Sequence, residues 1–195
     1  MSTVQIYNMD DDGWLQPASR YASPNFDSRP NNTDISLLVI HNISLPPGRF
    51  GGGHIHDFFL NHLDVSSDPY FEQIQQMKVS AHFLIERTGT VNQFVSCLDR
   101  AWHAGQSSFE GRVRCNDFSI GIELEGTDEL PYEDAQYRSL QAVYLALAHH
   151  FPCINIDRIV GHEHIAPGRK TDPGPAFDWS RFKQGLVDAS GCGTL

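Results

Sequence analysis

The chain reads as a single α/β domain on three observations: the apolar run Leu37-Leu38-Val39-Ile40, an amphipathic stretch from Asp134 to Phe151, and a second short apolar run from Ile156 to Val160. The first has strand length and no polar residue, as expected of a strand covered on both faces and therefore central in its sheet. In the second, Leu140, Val143, Tyr144, Leu147, Ala148 and Phe151 recur at helical spacing, so one face of a helix packs on that sheet. The third returns the chain to the sheet. At 195 residues there is chain for one full core rather than two.

Taken in order, residues 1–36 read as an extended N-terminal arm, because Asp, Pro, Asn and Ser dominate residues 10–36 and favour irregular backbone along the domain surface. After Leu37–Ile40 the segment SLPPGRFGGGH is irregular, punctuated by Pro46, Pro47, Gly48, Gly51, Gly52 and Gly53, and the loop region 46–80 is a natural lid for a nearby site. Ala81 to Glu86 and Val91 to Val95 are strand candidates joined by a hairpin turn at Arg87-Thr88-Gly89-Thr90, and Ser119 to Leu124 is a further strand. Asp134 is the expected N-cap of the long helix and Pro152 closes its end. The strand Ile156 to Val160 then delivers His162 just past its end. The following segment, HEHIAPGRKTDPGPAFDW, reads as a proline- and glycine-rich loop, and residues 185–195 form a C-terminal tail.

Composition narrows the function. A net charge of −10 argues against a nucleic-acid backbone or an anionic membrane surface as the main partner. No apolar run approaches the ~20 residues that span a bilayer. The start MSTVQIYNMDDDGW has neither a basic nor an apolar region, so no secretory signal is evident and a cytoplasmic location is expected. Cys97, Cys115, Cys153 and Cys192 show no CxxC spacing and in that compartment are expected as free thiols.

The chemistry concentrates in the 162–179 segment. Neutral imidazole and carboxylate both ligate zinc, and irregular chain between His162 and Asp172 lets the two side chains meet. His41, where the central strand should end, is the best third ligand, and a His, His, Asp set with one open position is the pattern of a catalytic zinc. Among ten histidines there are rivals: the pairs His54/His56 and His162/His164, and a cysteine as third ligand.

In SIGIELEG the alternation puts Gly121, Glu123 and Glu125 on one face and Ile120, Ile122 and Leu124 on the other. Such glutamates usually line a solvated face, but Gly121 leaves room for a close approach, and a carboxylate beside an activated water suits hydrolysis. Lys170, two residues before Asp172, is either a solvent-facing lysine or a cation that stabilises developing negative charge. Lys78, Arg112 and Arg114 suit a ligand carboxylate. Tyr70 and Trp102 are candidates to line a pocket, though aromatics at such spacings are more often core.

Taken together, LVIHNISLPPGRFGG, VSAHFLI, NDFSIGIELEGT and GHEHIAPGRKTDPGPAFDW resemble the AmpD-type N-acetylmuramoyl-L-alanine amidases, relatives of phage lysozyme-type amidases and peptidoglycan recognition proteins. The likeness runs in order from about residue 15 to residue 184. It implies a mixed α+β fold, a central mixed β-sheet flanked by helices with a zinc groove at the sheet rim. It also implies cleavage of the amide between the lactyl group of muramic acid and L-alanine. Position by position it makes His41, His162 and Asp172 the ligands of one zinc ion, Glu123 the acid/base, and Lys170 and Tyr70 the groups that stabilise the tetrahedral intermediate. Asn42, Lys78, Trp102 and Arg114 would line the groove, the two basic residues holding stem-peptide carboxylates; Lys78 stands where an arginine is usual. With no export signal, the implied substrate is an anhydro-muramyl peptide met during wall recycling, and the implied state a monomer. Two other classes compete: a muropeptide-binding module without catalysis, disfavoured by the full set of ligands plus Glu123 and Lys170, and a zinc endopeptidase acting on the stem peptide.

Overall fold

The computed structural model describes residues 5–31 and 34–191, with residues 187–191 by backbone alone. Cys192 and the outermost parts of the expected arm and tail lie outside the described residues. Six strands form a mixed sheet: Ser19–Arg20 (β1), Leu37–Ile43 (β2), Phe83–Ile85 (β3), Val91–Gln93 (β4), Ser119–Glu125 (β5) and Ile159–Gly161 (β6), in the order β6-β2-β5-β3-β4-β1. β3 and β4 are an antiparallel hairpin; the other neighbours are parallel. The helices are His54–Phe59 (α1), Phe71–Ile74 (α2), Asp134–His150 (α3), His162–Ile165 (α4) and Trp179–Gly191 (α5).

The strand alternation sorts the two faces of this sheet. Leu38, Ile40, Ile120, Ile122, Leu124, Phe83 and Ile85 face α3, whose Tyr137, Leu140, Val143, Tyr144 and Leu147 close the main core with Phe182 and Leu186 of α5. On the opposite face Leu37 and Val39 pack with Phe118 and Ile165, while Leu84 joins Phe58, Phe59, Phe71 and Ile74 of α1 and α2. The same face carries His41 and Glu123, with Gly121 leaving a gap beside them. Pairing in register places Glu123 directly beside His41, and Gly121 beside Val39.

Several local expectations shift. The helix cap is Glu133, whose N–H is accepted by Gln136 Oε1 at 3.1 Å, so Asp134 is the first helical residue and pairs with Arg181 instead. Gln136 also donates to the carbonyls of Ile85 and Glu125, tying the start of α3 to the ends of β3 and β5. Ile156–Arg158 is a 3-10 turn, begun where Asn155 Oδ1 accepts from Asp157 N, and the strand starts only at Ile159. His41 lies inside its strand rather than beyond it, because pairing with β5 continues to Ile43. The 162–179 segment is not wholly irregular: one helical turn, α4, forms before Pro167, the first residue able to interrupt it.

The N-terminal segment is inlaid as well as draped. β1 joins the sheet edge, Phe26–Ser28 pairs with Asp99–Ala101, and Trp14, Leu15, Asn25 and Arg29 are buried. Arg29 donates to the carbonyls of Asn116, Asp117, Cys97 and Ser119, and burial lowers its guanidinium to about 10. At the other end, the residues from 185 continue α5 as far as Gly191.

Candidate metal centre

Three elements converge on one point. β2 presents His41, the first residue of α4 is His162, and the loop after α4 returns Asp172. His41 Nδ1, His162 Nδ1 and Asp172 Oδ2 each stand 3.0 Å from the other two. Three ligand atoms cannot satisfy one another at that spacing with the few protons available, but one ion between them would take a lone pair from each. Both imidazoles are buried, and burial lowers His41 to about 4, keeping it neutral with a lone pair to give. Burial alone would raise the Asp172 carboxyl, but its close contacts with the His162 and His41 rings hold it far below the usual range, so the site keeps one full negative charge. Two neutral imidazoles and a carboxylate suit zinc, and among the described residues no other His, Cys, Asp and Glu group gathers in this way.

The rivals lie elsewhere. His54 packs on Phe71, and His56 on Phe94 and Tyr21 with its Nε2 3.7 Å from Glu86. His164 Nδ1 accepts from Gly161 N, turning it away from the cluster. Cys97 and Cys115 are buried outside the site and Cys153 is exposed, all as free thiols.

The cluster opens into a cavity of about 320 Å³ whose lining includes Glu123, Lys170, Tyr70, Asn42 and Trp102. Glu123 Oε2 is buried without a hydrogen-bond partner, and burial, then the nearby Asp172 charge, push its carboxyl well above the usual range. Lys170 works against that shift: its charge favours ionised Glu123 and disfavours a protonated His41. Asn42 is held by donation to Asp128 Oδ1 at 2.7 Å and to the Pro173 carbonyl. Away from the His41, His162 and Asp172 cluster the cavity lining turns apolar, through Leu45, Phe58, Ile74, Met77 and Val79. Lys78 and Arg114 do not line this cavity. Lys78 is exposed between Met77 and Val79, and Arg114 is exposed on an ion pair with Asp117, so both stand at or beyond the rim. Arg112 pairs with Asp34 and lies over Phe118.

Two histidines outside the sequence reading belong to this region. His103 Nδ1 stands 2.9 Å from His41 Nε2, and His82 Nδ1 accepts from Gly121 N. The one sequence signal for the first is Gly121: a Cβ there would sit 2.5 Å from His103 Cγ, so the room this glycine leaves is taken by that ring.

Comparison with known proteins accords with this geometry. Residues 31–175 match the family model described as N-acetylmuramoyl-L-alanine amidase. The 1,6-anhydro-N-acetylmuramyl-L-alanine amidase AmpD of Haemophilus influenzae is 58% identical over 170 residues, covering 87% of this chain and 92% of that protein. The crystal structure of a selenomethionine derivative of AmpD superposes with a TM-score of 0.87 at 56% identity, over 89% of this chain and 97% of the other. A more distant neighbour, AmiD from Escherichia coli, was solved in complex with anhydro-N-acetylmuramic acid-L-Ala-D-γ-Glu-L-Lys; its TM-score is 0.58 at 26% identity, covering 96% of this chain and 72% of that one.

Proposed function

The chain belongs to the N-acetylmuramoyl-L-alanine amidase family, and on that premise we propose that it hydrolyses the amide joining the lactyl group of 1,6-anhydro-N-acetylmuramic acid to L-alanine, using one zinc ion held by His41, His162 and Asp172. The substrate follows from the relatives, among them a protein named for the anhydro-muramyl amide and one solved with an anhydro-muramyl peptide bound. The observation that carries the reading is the set of three mutually facing ligand atoms in the same cavity as Glu123 and Lys170.

Bound there, zinc supplies Lewis-acid polarisation of the scissile carbonyl and a water of lowered pKa. Glu123, with Oε2 unpartnered and its carboxyl raised by burial, takes the proton of the attacking water and returns it to the departing L-alanine nitrogen. Lys170 stabilises the negative charge on the carbonyl oxygen, with Tyr70, which lines the same cavity, as a second donor. Asn42 and Trp102 orient the ligand inside the cleft. Lys78 and Arg114 meet the stem-peptide carboxylates where the peptide leaves it, Arg114 as a planar fork and Lys78 as a point charge. The setting of this reading is wall recycling in the cytoplasm, with the monomer as the working unit.

The test is a metal analysis of purified protein combined with mass analysis of a digest. A soluble anhydro-muropeptide should yield anhydro-muramic acid and a peptide beginning with L-alanine, and should be cut in preference to intact sacculi. Cleavage within the stem would make the protein an endopeptidase, and full activity in metal-free protein would remove zinc from the reaction.

A further inference from the structure

We propose that His103 is the positioning residue of the metal centre, accepting the Nε2 proton of His41 and so holding the His41 lone pair on Nδ1, toward the ion. This inference rests on the zinc reading above. His41 can present Nδ1 to a metal only as the tautomer protonated at Nε2, and that proton needs an acceptor in a buried site. His103 Nδ1 is there, 2.9 Å away, its ring set at 84° to that of His41. If Nδ1 of His103 accepts, its proton sits on Nε2, which lies 3.2 Å from Ser119 Oγ, a group able to receive it. The chain His41, His103, Ser119 is therefore complete in one direction, with each nitrogen assigned.

The second ligand is fixed by the same stretch of chain. His162 Nε2 faces the Ala104 carbonyl at 3.1 Å and Arg169 Nη2 at 3.3 Å; the guanidinium already donates to that carbonyl at 2.7 Å, and the shorter contact of Nε2 with a group that only accepts points to the proton on Nε2 and the lone pair again on Nδ1. Residues 103 and 104 thus hold both imidazoles, one through a side chain and one through the backbone. They are held in turn by the buried Asn116, whose Oδ1 accepts from His103 N at 3.3 Å and Ala104 N at 2.8 Å. Gly121 completes the seat. It faces the same side of β5 as Ser119 and Glu123, and a Cβ there would lie 2.5 Å from His103 Cγ and 2.6 Å from Nδ1. Any side chain at 121 would displace the ring, and its backbone is pinned by donation to His82 Nδ1 at 3.0 Å.

The experiment uses the full chain, zinc-loaded and metal-free, as wild type, His103→Ala and His103→Asn. Zinc affinity is measured by competition with a chelator, and the protonated nitrogen of each imidazole is read by side-chain ¹⁵N NMR. In the wild type His41 should carry its proton on Nε2. His103→Ala should weaken zinc by about 10- to 100-fold, the usual effect of losing such a partner, and should leave the metal-free protein with His41 in mixed tautomers. His103→Asn, which keeps an acceptor oxygen near the Nδ1 position, should recover most of the affinity. Unchanged affinity in His103→Ala would overturn the proposal. So would equal losses in the Ala and Asn variants, the mark of simple packing, or a zinc-loaded wild type with His41 unprotonated at Nε2. If His103→Ala does not fold, Ser119→Ala keeps the ring and removes its acceptor: weaker zinc supports the relay, and unchanged zinc with an unchanged tautomer overturns it. A wild type that binds no zinc would bring down the metal reading and this inference together, whereas the variant results alone bring down only the second.

Discussion

The two faces of the central sheet are built from the same two strands and could hardly differ more. Under α3, Leu38, Ile40, Ile120, Ile122 and Leu124 present only hydrocarbon. One residue along in each strand, the opposite face presents His41, Gly121, Glu123 and Glu125. Even the two glutamates diverge. Glu125 is buried with both oxygens filled, accepting from Gly51 N at 2.6 Å and Arg87 N at 3.1 Å, which pins the glycine-rich loop and the hairpin to the strand. Glu123, two residues earlier, has an oxygen with no partner and a carboxyl raised by burial. A satisfied carboxylate is a structural clamp; an unsatisfied one beside ligand atoms is available for proton transfer. The lesson is that period-two alternation assigns a face, and only the hydrogen-bond account assigns the job.

The strongest way to break this contrast is to exchange charge for hydrocarbon on the polar face. Glu123→Ala should lower kcat by about 10²- to 10⁴-fold, the usual range for a lost general acid/base, while zinc content stays at wild-type level. Asp172→Ala should do the converse first, emptying the metal site and with it the activity. Metal analysis beside steady-state kinetics separates the two. A Glu123→Ala enzyme of near-normal rate would remove that residue from the chemistry.

The apolar face is expected to answer in stability instead. Leu140 is fully buried against the sheet, so Leu140→Ala should cost about 2–5 kcal/mol in urea unfolding. The folded variant should bind zinc and turn over as the wild type does. A large fall in kcat in the fraction that remains folded would show that the two faces are coupled rather than separate.

How much of this was legible beforehand follows the same division. The apolar face was readable, since Leu37–Ile40 and the 140, 143, 144, 147 spacing report burial directly. His41, His162 and Asp172 could be picked out by residue type and by the glycines and prolines around the last two. What could not be read was adjacency across strands: that Glu123 sits in register beside His41, or that β3 is inserted between β5 and β4. Register depends on pairings far apart in sequence, and no local pattern encodes it. For His103 only Gly121 gives a signal, and an indirect one, since its partners His41 and Ser119 are distant in the chain. The composition of the N-terminal segment reads as an arm along the surface, because Asp, Asn and Ser signal irregular backbone but not where their side chains bond; Ser23 and Asn25 donate to buried carbonyls such as Phe59 O.

Acid offers a milder probe of the polar face. Burial lowers His41 to about 4 and His82 and His103 well below their ordinary value, so all three are neutral when folded. Unfolded, each takes up a proton near pH 6.5. Below that pH the unfolded chain binds more protons, and stability falls as pH drops toward the folded values, at up to about 1.4 kcal/mol per pH unit for each group. Glu123, raised rather than lowered, opposes this with one group against three. Metal-free protein should therefore show a lower urea midpoint at pH 5.5 than at pH 7.5; a flat profile would mean these rings are already charged or hydrated.

The smallest expected effect lies at the rim, where the contrast between faces gives way to solvent. Arg114 is 67% exposed and shares its guanidinium with Asp117, so a contact with a stem-peptide carboxylate there is screened and worth at most about 1 kcal/mol. Arg114→Ala should accordingly raise KM a few-fold for a long-stem anhydro-muropeptide and leave kcat nearly unchanged, because the contact is equal in ground and transition states. With anhydro-muramyl-L-alanine, whose peptide ends before the rim, the variant and wild type should coincide. A loss in kcat, or an equal loss on the short substrate, would move Arg114 from the rim into the cleft and redraw the boundary between binding and chemistry.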